Sequence, residues 1–213
     1  MNDLFLLIKA GDVEAVRNLV SADPTLLEQQ DHNGASVIAA ALYYGKQEMA
    51  SFLAENGAPI NFQVACALGD QDLARRLLYE DPSLLNSFSP DGYPALGLAA
   101  FFGQIEVTRW LISLGADVNL SSGNTMRVAP LHAATACQSL AIARQLLEHG
   151  ANVNQTQQDE YTPLHAAAAN GQIEMVQLLL DFGANRYAHL TDGRTPADLA
   201  SEIENASLKA MLA

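Results

Sequence analysis

Lysine and arginine are scarce: 11 stand against 24 aspartates and glutamates, leaving a formal net charge of −13 over 213 residues. Duplex nucleic acid and anionic membranes are gripped by clustered basic side chains, so composition argues against both as partners. The surplus reads as a solvated acidic surface. Cysteine is rarer still. Cys66 and Cys137 are the two present, and neither lies near a histidine pair, so neither a zinc site nor a disulfide framework is expected. Free thiols suit a reducing compartment, and with it a cytoplasmic location. No apolar run approaches the ~20 residues of a membrane-spanning helix, and the opening Met-Asn-Asp-Leu-Phe-Leu-Leu-Ile-Lys has no basic leader. Aromatics make up only 7% of the chain. With alanine and leucine abundant instead, close-packed helices are favoured over a β-sandwich.

What is present repeats. Within 161–185, Thr162 is placed to cap a helix that opens on Pro163 and closes at Gly171. A second helix carries Ile173, Val176, Leu179 and Leu180 on one face and ends at Gly183. Two such short helices cannot bury their apolar faces alone and need neighbours of the same kind. The residue ending the first helix recurs at Gly11, Gly45, Gly69, Gly103, Gln138, Gly171 and Glu204, with spacings of 34, 24, 34, 35, 33 and 33. The glycine ending the second helix recurs at Gly57, Gly115, Gly150 and Gly183, each followed by alanine and, within a few residues, by asparagine.

Three stretches carry a recognisable signature: Ala129-Pro130-Leu131-His132, Thr162-Pro163-Leu164-His165 and Thr195-Pro196-Ala197-Asp198. The chain resembles the ankyrin-repeat family, whose Thr-Pro-Leu-His motif these match. The resemblance spans nearly the whole sequence and looks most like small stand-alone bacterial members. It implies an all-α solenoid of stacked helix-turn-helix units with short β-hairpin fingers. A single domain over 1–213 is expected, in units of roughly 3–30, 31–60, 61–88, 89–120, 121–154, 155–187 and a capping 188–213. It also implies a structural histidine, its ring bonded to the cap threonine of its own unit and to the neighbour's backbone. His132 and His165 lie one repeat apart, about 10 Å, too far to share one metal ion.

The departures from the pattern are where distinctive function is expected. Ser36-Val37-Ile38-Ala39 and Pro94-Ala95-Leu96-Gly97 replace the signature in two units. An offset of 58 maps Asp23-Pro24-Thr25-Leu26-Leu27 onto Asp81-Pro82-Ser83-Leu84-Leu85, indicating two copies of a two-unit block. Each such segment is expected to extend a second helix by one capped turn. Only Ala58-Pro59-Ile60-Asn61 separates Gly57 from Phe62, too little for a finger, and its loss is expected to widen a groove. The finger before Pro130 is about two residues longer than the one before Pro163.

Nothing in the chain resembles catalytic machinery. Glycines fall at the repeat period rather than in a phosphate loop, no nucleophile sits in a known motif, and acidic pairs such as Asp70 and Asp72 suit helix starts. No enzyme activity, cofactor or metal is expected. Two residues ahead of each first-helix terminus fall where the resemblance places the partner-binding concave face. There the sequence holds Tyr43-Tyr44, Leu68 and Phe101-Phe102, and the fingers add Tyr93, Met126 and Arg127. Exposed aromatics beside an arginine are a common hot-spot composition. The expected function is a protein–protein interaction module, a monomer, binding through these eight residues; replacing the four doublet aromatics is expected to spare the fold. The alternative is an acidic decoy occupying a basic site on another protein.

Overall fold

Side-chain caps set where helices begin. The Ser36, Asn61, Thr162 and Thr195 side chains each accept from the backbone N–H three residues on, satisfying donors the helix leaves open. The computed structural model describes residues 3–203 and 205–213; Glu204, marked by the sequence as the last first-helix terminus, lies outside them. One row of helices comprises α1 (Asp3–Ala10), α3 (Val37–Tyr43), α5 (Phe62–Leu68), α7 (Ala95–Phe101), α9 (Pro130–Ala136), α11 (Pro163–Ala169) and α13 (Pro196–Glu202). A second row comprises α2 (Val13–Ala22), α4 (Gln47–Glu55), α6 (Gln71–Glu80), α8 (Ile105–Ser113), α10 (Leu140–Glu148), α12 (Ile173–Asp181) and α14 (Ala206–Leu212). Each helix packs on its partner in the pair, and from α5 onward each first-row helix packs on the next.

First-row helices are short and buried nearly all round: Val37 through Leu42 and Ala95 through Ala100 are all buried. Helices of seven residues do not persist alone, so stacking holds them. The reversal between rows needs a left-handed residue. Gly11, Gly45, Gly69, Gly103 and Gly171 supply it, and Gln138 adopts it at φ 59°. The asparagines recurring after Gly-Ala tie successive units together. Asn119 Oδ1 accepts from Asn152 N at 2.7 Å, and Asn154 Oδ1 accepts from Asn185 N at 2.7 Å.

Three expectations need correction. The Asp-Pro-x-Leu-Leu segments do not extend the second helices. Asp23 and Asp81 leave helical geometry, with φ of −142° and −138°, and cap separate 3-10 turns over Pro24–Glu28 and Pro82–Asn86. The second of these ends in Asn86, whose Oδ1 accepts from Asp117 N at 2.9 Å and so supplies the link between units there. The fingers are loops rather than hairpins. Isolated bridges pair Gln30 with Ser36 and Phe88 with Pro94, and no strand forms among the described residues. A single bridged pair leaves no room for a ladder: Asp31 N donates to Ala35 O, and the Asp31 carboxylate accepts from Asn33 N and Ala35 N.

The missing finger, finally, does not widen the groove. The fingers on either side of the gap close on each other. A Cβ built on Gly34, at φ +91°, would meet Pro90 O at 2.8 Å. Only glycine admits so close a backbone approach. The core reflects the same irregularity by dividing into two clusters. One holds residues from Leu4 to Ala58 and also Val64, Ala67 and Leu98; the other runs from Phe62 to Leu212. α5 and α7 each serve both: Val64, Ala67 and Leu98 face the first cluster, and Phe62, Ala65, Cys66, Leu96 and Ala99 the second.

Candidate protein-interaction surface

Tyr43 and Phe102 meet across the gap. They come from α3 and the end of α7, two units apart, and their rings stack with centroids 5.8 Å apart. Tyr93, on the finger before α7, tilts against Tyr43 at 6.1 Å, and Phe101 stands edge-on to Phe102 at 5.1 Å. The Tyr43 hydroxyl donates to Asp91 Oδ2 at 2.6 Å, and the Ser89 hydroxyl donates to Asp91 Oδ1. Asp91 and Ser89 are both buried. Burial, then the hydrogen bond to Asp91, raises the Tyr43 phenol well above the usual tyrosine range. These contacts bypass the third unit, whose finger is absent.

The two doublets occupy matching positions in their units but differ in which ring is inside. In the first, Tyr43 is half-buried and Tyr44 is 43% exposed; in the second, Phe101 is 42% exposed and Phe102 half-buried. The reason is geometric. α3 precedes the gap in the stack and α7 follows it, and the rings that meet across it are Tyr43 from the one and Phe102 from the end of the other. Tyr43 and Phe102, packed against the first core cluster, therefore belong partly to the framework, so replacing all four rings is expected to cost stability as well as surface.

Of the other predicted site residues, Met126 is exposed and lines a hollow of about 330 Å³ with Asp31, Asn33, Tyr43, Asp91, Tyr93 and Asn124. Leu68 is partly buried against the first core cluster. Arg127 departs from expectation. Its backbone is left-handed at φ 52°, and its guanidinium donates to Gln157 O at 3.3 Å, on the next finger rather than beside Phe101 and Phe102. The ammonium facing this surface is Lys9, with Nζ 5.5 Å from the Tyr44 ring centroid.

Several lining residues carry no signal in the sequence. A smaller cavity of about 120 Å³ is walled by Tyr43, Tyr93, Gly97, Leu98, Phe101, Val128 and Ala133. Gly97 was visible as a break in the signature, but the cavity beneath it was not. Phe5 and exposed Leu6 join Lys9 and Tyr44 around a wider hollow at the N-terminal end. Asp91 resembled ordinary turn chemistry, and its pairing with Tyr43, 48 positions away, has no signal in local spacing.

The histidines are built into the scaffold. His165 Nδ1 lies 2.8 Å from Thr162 Oγ1 and accepts from Thr162 N at 3.2 Å, closing a capping box. His132 Nε2 bonds Tyr161 O in the next finger at 3.0 Å. Ala129 replaces the cap threonine there, and His132 Nδ1 is buried without a protein partner among the described residues. Burial lowers the His132 pKa to about 4 and lowers that of His165, so both favour the neutral ring. Both thiols are free; burial pushes Cys66 up to about 12, making it unreactive at neutral pH. No group of three or more His, Cys, Asp or Glu is placed to hold a metal ion among the described residues, and no helix there is long and apolar enough to cross a membrane.

The fold defines a helical repeat protein, a stack of paired helices in two rows. The chain belongs to the ankyrin-repeat family: the family described as ankyrin repeats (3 copies) matches residues 62–157 and 131–212. Its repeats are general protein–protein interaction modules. Two known proteins are similar to the chain. One is the probable 26S proteasome regulatory subunit p28 of Saccharomyces cerevisiae, 29% identical over 159 residues, covering 68% of each chain. The other is alpha-latrocrustotoxin-Lt1a of Latrodectus tredecimguttatus, 27% identical over 123 residues, which are 54% of this chain but only 9% of the toxin.

Proposed function

We propose that this chain is a non-catalytic binding module that holds a partner protein on its concave face, along the C-terminal ends of the first-row helices and the adjoining finger tips. A single continuous domain over 1–213, a monomeric state and a cytoplasmic location belong to the same reading. The observation that carries it is the ring cluster. Two outward aromatics, Tyr44 and Phe101, flank a half-buried stacked pair, giving large contact area with few rotors to freeze. The yeast relative is named as a subunit of a protein assembly, which supports a protein as partner. The acidic decoy is the weaker alternative. Asp12, Asp23, Asp70, Asp81 and Asp198 accept backbone N–H bonds at helix and turn starts, so capping accounts for their presence without a basic partner.

Affinity purification from the native cell tests this, with a Tyr44→Ala/Phe101→Ala chain as control. These two rings are the right targets because Tyr43 and Phe102 also support the fold. The expected result is a protein retained by the wild type, weakened at least tenfold by the double substitution, with the thermal midpoint unchanged. A decoy would instead show binding that collapses between 0.1 and 1 M salt, as the Debye length falls from about 10 to about 3 Å. Retention indifferent to the double substitution would reject the concave face.

A further inference from the structure

The 120 Å³ cavity is the space left by a missing histidine. Aligning the units within this chain places Gly97 where His132 and His165 stand. His132 fills its position with a buried ring that reaches Tyr161 O, the carbonyl just before the cap of the next first-row helix. The corresponding carbonyl in the earlier unit belongs to Val128, which lines the cavity together with Gly97 itself. Gly97 is not required by its backbone, since its φ lies outside the left-handed region and an added Cβ would meet only the Pro94 ring, Cγ at 3.4 Å and Cδ at 3.6 Å. A side chain would fit there, and the sequence withholds it.

The cavity has a neighbour of opposite character. Tyr43 and Tyr93 wall both it and the 330 Å³ hollow. The smaller space is otherwise bounded by Gly97, Leu98, Phe101, Val128 and Ala133. The larger is bounded by two carboxylates, Asp31 and Asp91, with Asn33 and Asn124, and by no lysine or arginine among the described residues. The Asp91 oxygens each accept one hydroxyl from Tyr43 and Ser89, leaving lone pairs for a further donor.

Resting on the concave-face reading, we propose that these two adjoining spaces form a two-residue recognition site for an extended protein segment: an aliphatic side chain enters the Gly97 cavity and an arginine or lysine enters the Asp31–Asp91 hollow. Size selects the first. The cavity is somewhat smaller than the roughly 150 Å³ that admits benzene, so a branched aliphatic chain fits better than an aromatic ring. Charge complementarity selects the second, and the tyrosine faces of the shared wall favour a cation as well. In an extended segment, residues i and i+2 point the same way and lie about 6.6 Å apart, so the expected motif is Leu, Ile, Val or Met two positions from Arg or Lys.

A random linear peptide library selected on the full chain tests the proposal, followed by titration of the recovered peptides against three variants. Gly97→His refills the cavity as His132 does and replaces a helical glycine, so its melting temperature should equal or exceed that of the wild type while peptide affinity falls at least tenfold. Asp31→Asn keeps the one oxygen that accepts from Asn33 N and Ala35 N while removing charge; Asp91→Asn removes charge as well but turns one of the two oxygens that accept from Tyr43 and Ser89 into an amide donor, so its melting temperature is read beside its affinity. Each should weaken binding several-fold and flatten its dependence on salt. A library that yields no enriched motif, or one without the aliphatic–basic pairing, overturns the proposal. So does a motif whose binding ignores Gly97→His and Asp31→Asn. If that binding is still lost with Tyr44→Ala/Phe101→Ala, the concave-face reading stands while this site falls; if it survives both sets, both fall.

Discussion

Replacing Tyr43 by phenylalanine isolates the contact that bridges the gap. The ring, its stacking on Phe102 and its buried area all remain; only the hydroxyl that donates to Asp91 Oδ2 at 2.6 Å is lost. A hydrogen bond to a charged acceptor contributes about 1.5–3 kcal/mol net, and a buried acceptor left short of a donor costs a similar amount. Asp91 is only 9% exposed, yet it borders the 330 Å³ hollow, which has room for water to take the hydroxyl's place. The low end of the range, about 1.5 kcal/mol, is therefore expected. Urea unfolding followed by far-UV circular dichroism measures it, with Tyr44→Phe as a control near zero because that ring is largely outside. A second readout comes from pH. The folded Tyr43 phenol titrates above its unfolded value near 10, so the folded state keeps a proton that the unfolded state releases. Its contribution is complete below pH 10 and is lost above it at about 1.4 kcal/mol per pH unit. Tyr43→Phe should remove that part of the alkaline decline. A variant within about 0.3 kcal/mol of wild type, with an unchanged alkaline limb, would refute the bridge.

At the acid end, His132 titrates near 4 in the folded state against about 6.5 unfolded, because burial disfavours the charged ring. Its folded pKa is depressed, so the unfolded state takes up the proton first, and stability should fall by about 3 kcal/mol as pH drops from 6.5 to 4. His132→Gln should flatten that limb of a pH–urea surface. Ala129→Thr should install the cap that Thr162 provides to His165 and give His132 Nδ1 a partner, raising stability by about 1 kcal/mol in the same assay. Gly34→Ala forces a Cβ to 2.8 Å from Pro90 O at a left-handed position and should cost about 2 kcal/mol or more. A neutral result there would mean that the two fingers do not abut.

Regular parts of the molecule were legible because their signals are local. Thr162-Pro163 announces a helix start, a glycine before each second helix supplies the left-handed turn, and the Gly-Ala-x-Val-Asn runs mark the links between units. Gln138 belongs to that series without being glycine, since its neighbours fix the period. The irregular region was legible only as irregular. Loss of a finger before Phe62 can be counted along the chain, but whether the space opens or closes depends on Gly34 meeting Pro90 and Tyr43 reaching Asp91. Those are contacts between residues about 50 apart whose chemistry gives no periodic pattern. Arg127 is illegible for a related reason: its left-handed backbone aims the guanidinium at Gln157, and nothing in the residue's identity foretells that φ.

The contact between Tyr43 and Asp91 has a mechanical consequence. A solenoid pulled from its ends ordinarily peels one repeat at a time, since each touches only its neighbours. Here the third unit lies between two anchors that hold each other directly, so tension entering at either side is carried past α5 until that hydroxyl–carboxylate link breaks. Units two to four would then yield together. Their ~90 residues would release on the order of 300 Å of chain in one rupture rather than three smaller ones, at about 3.5 Å per residue. The irregular stretch is, in this sense, a clasp that makes three links of the chain behave as one.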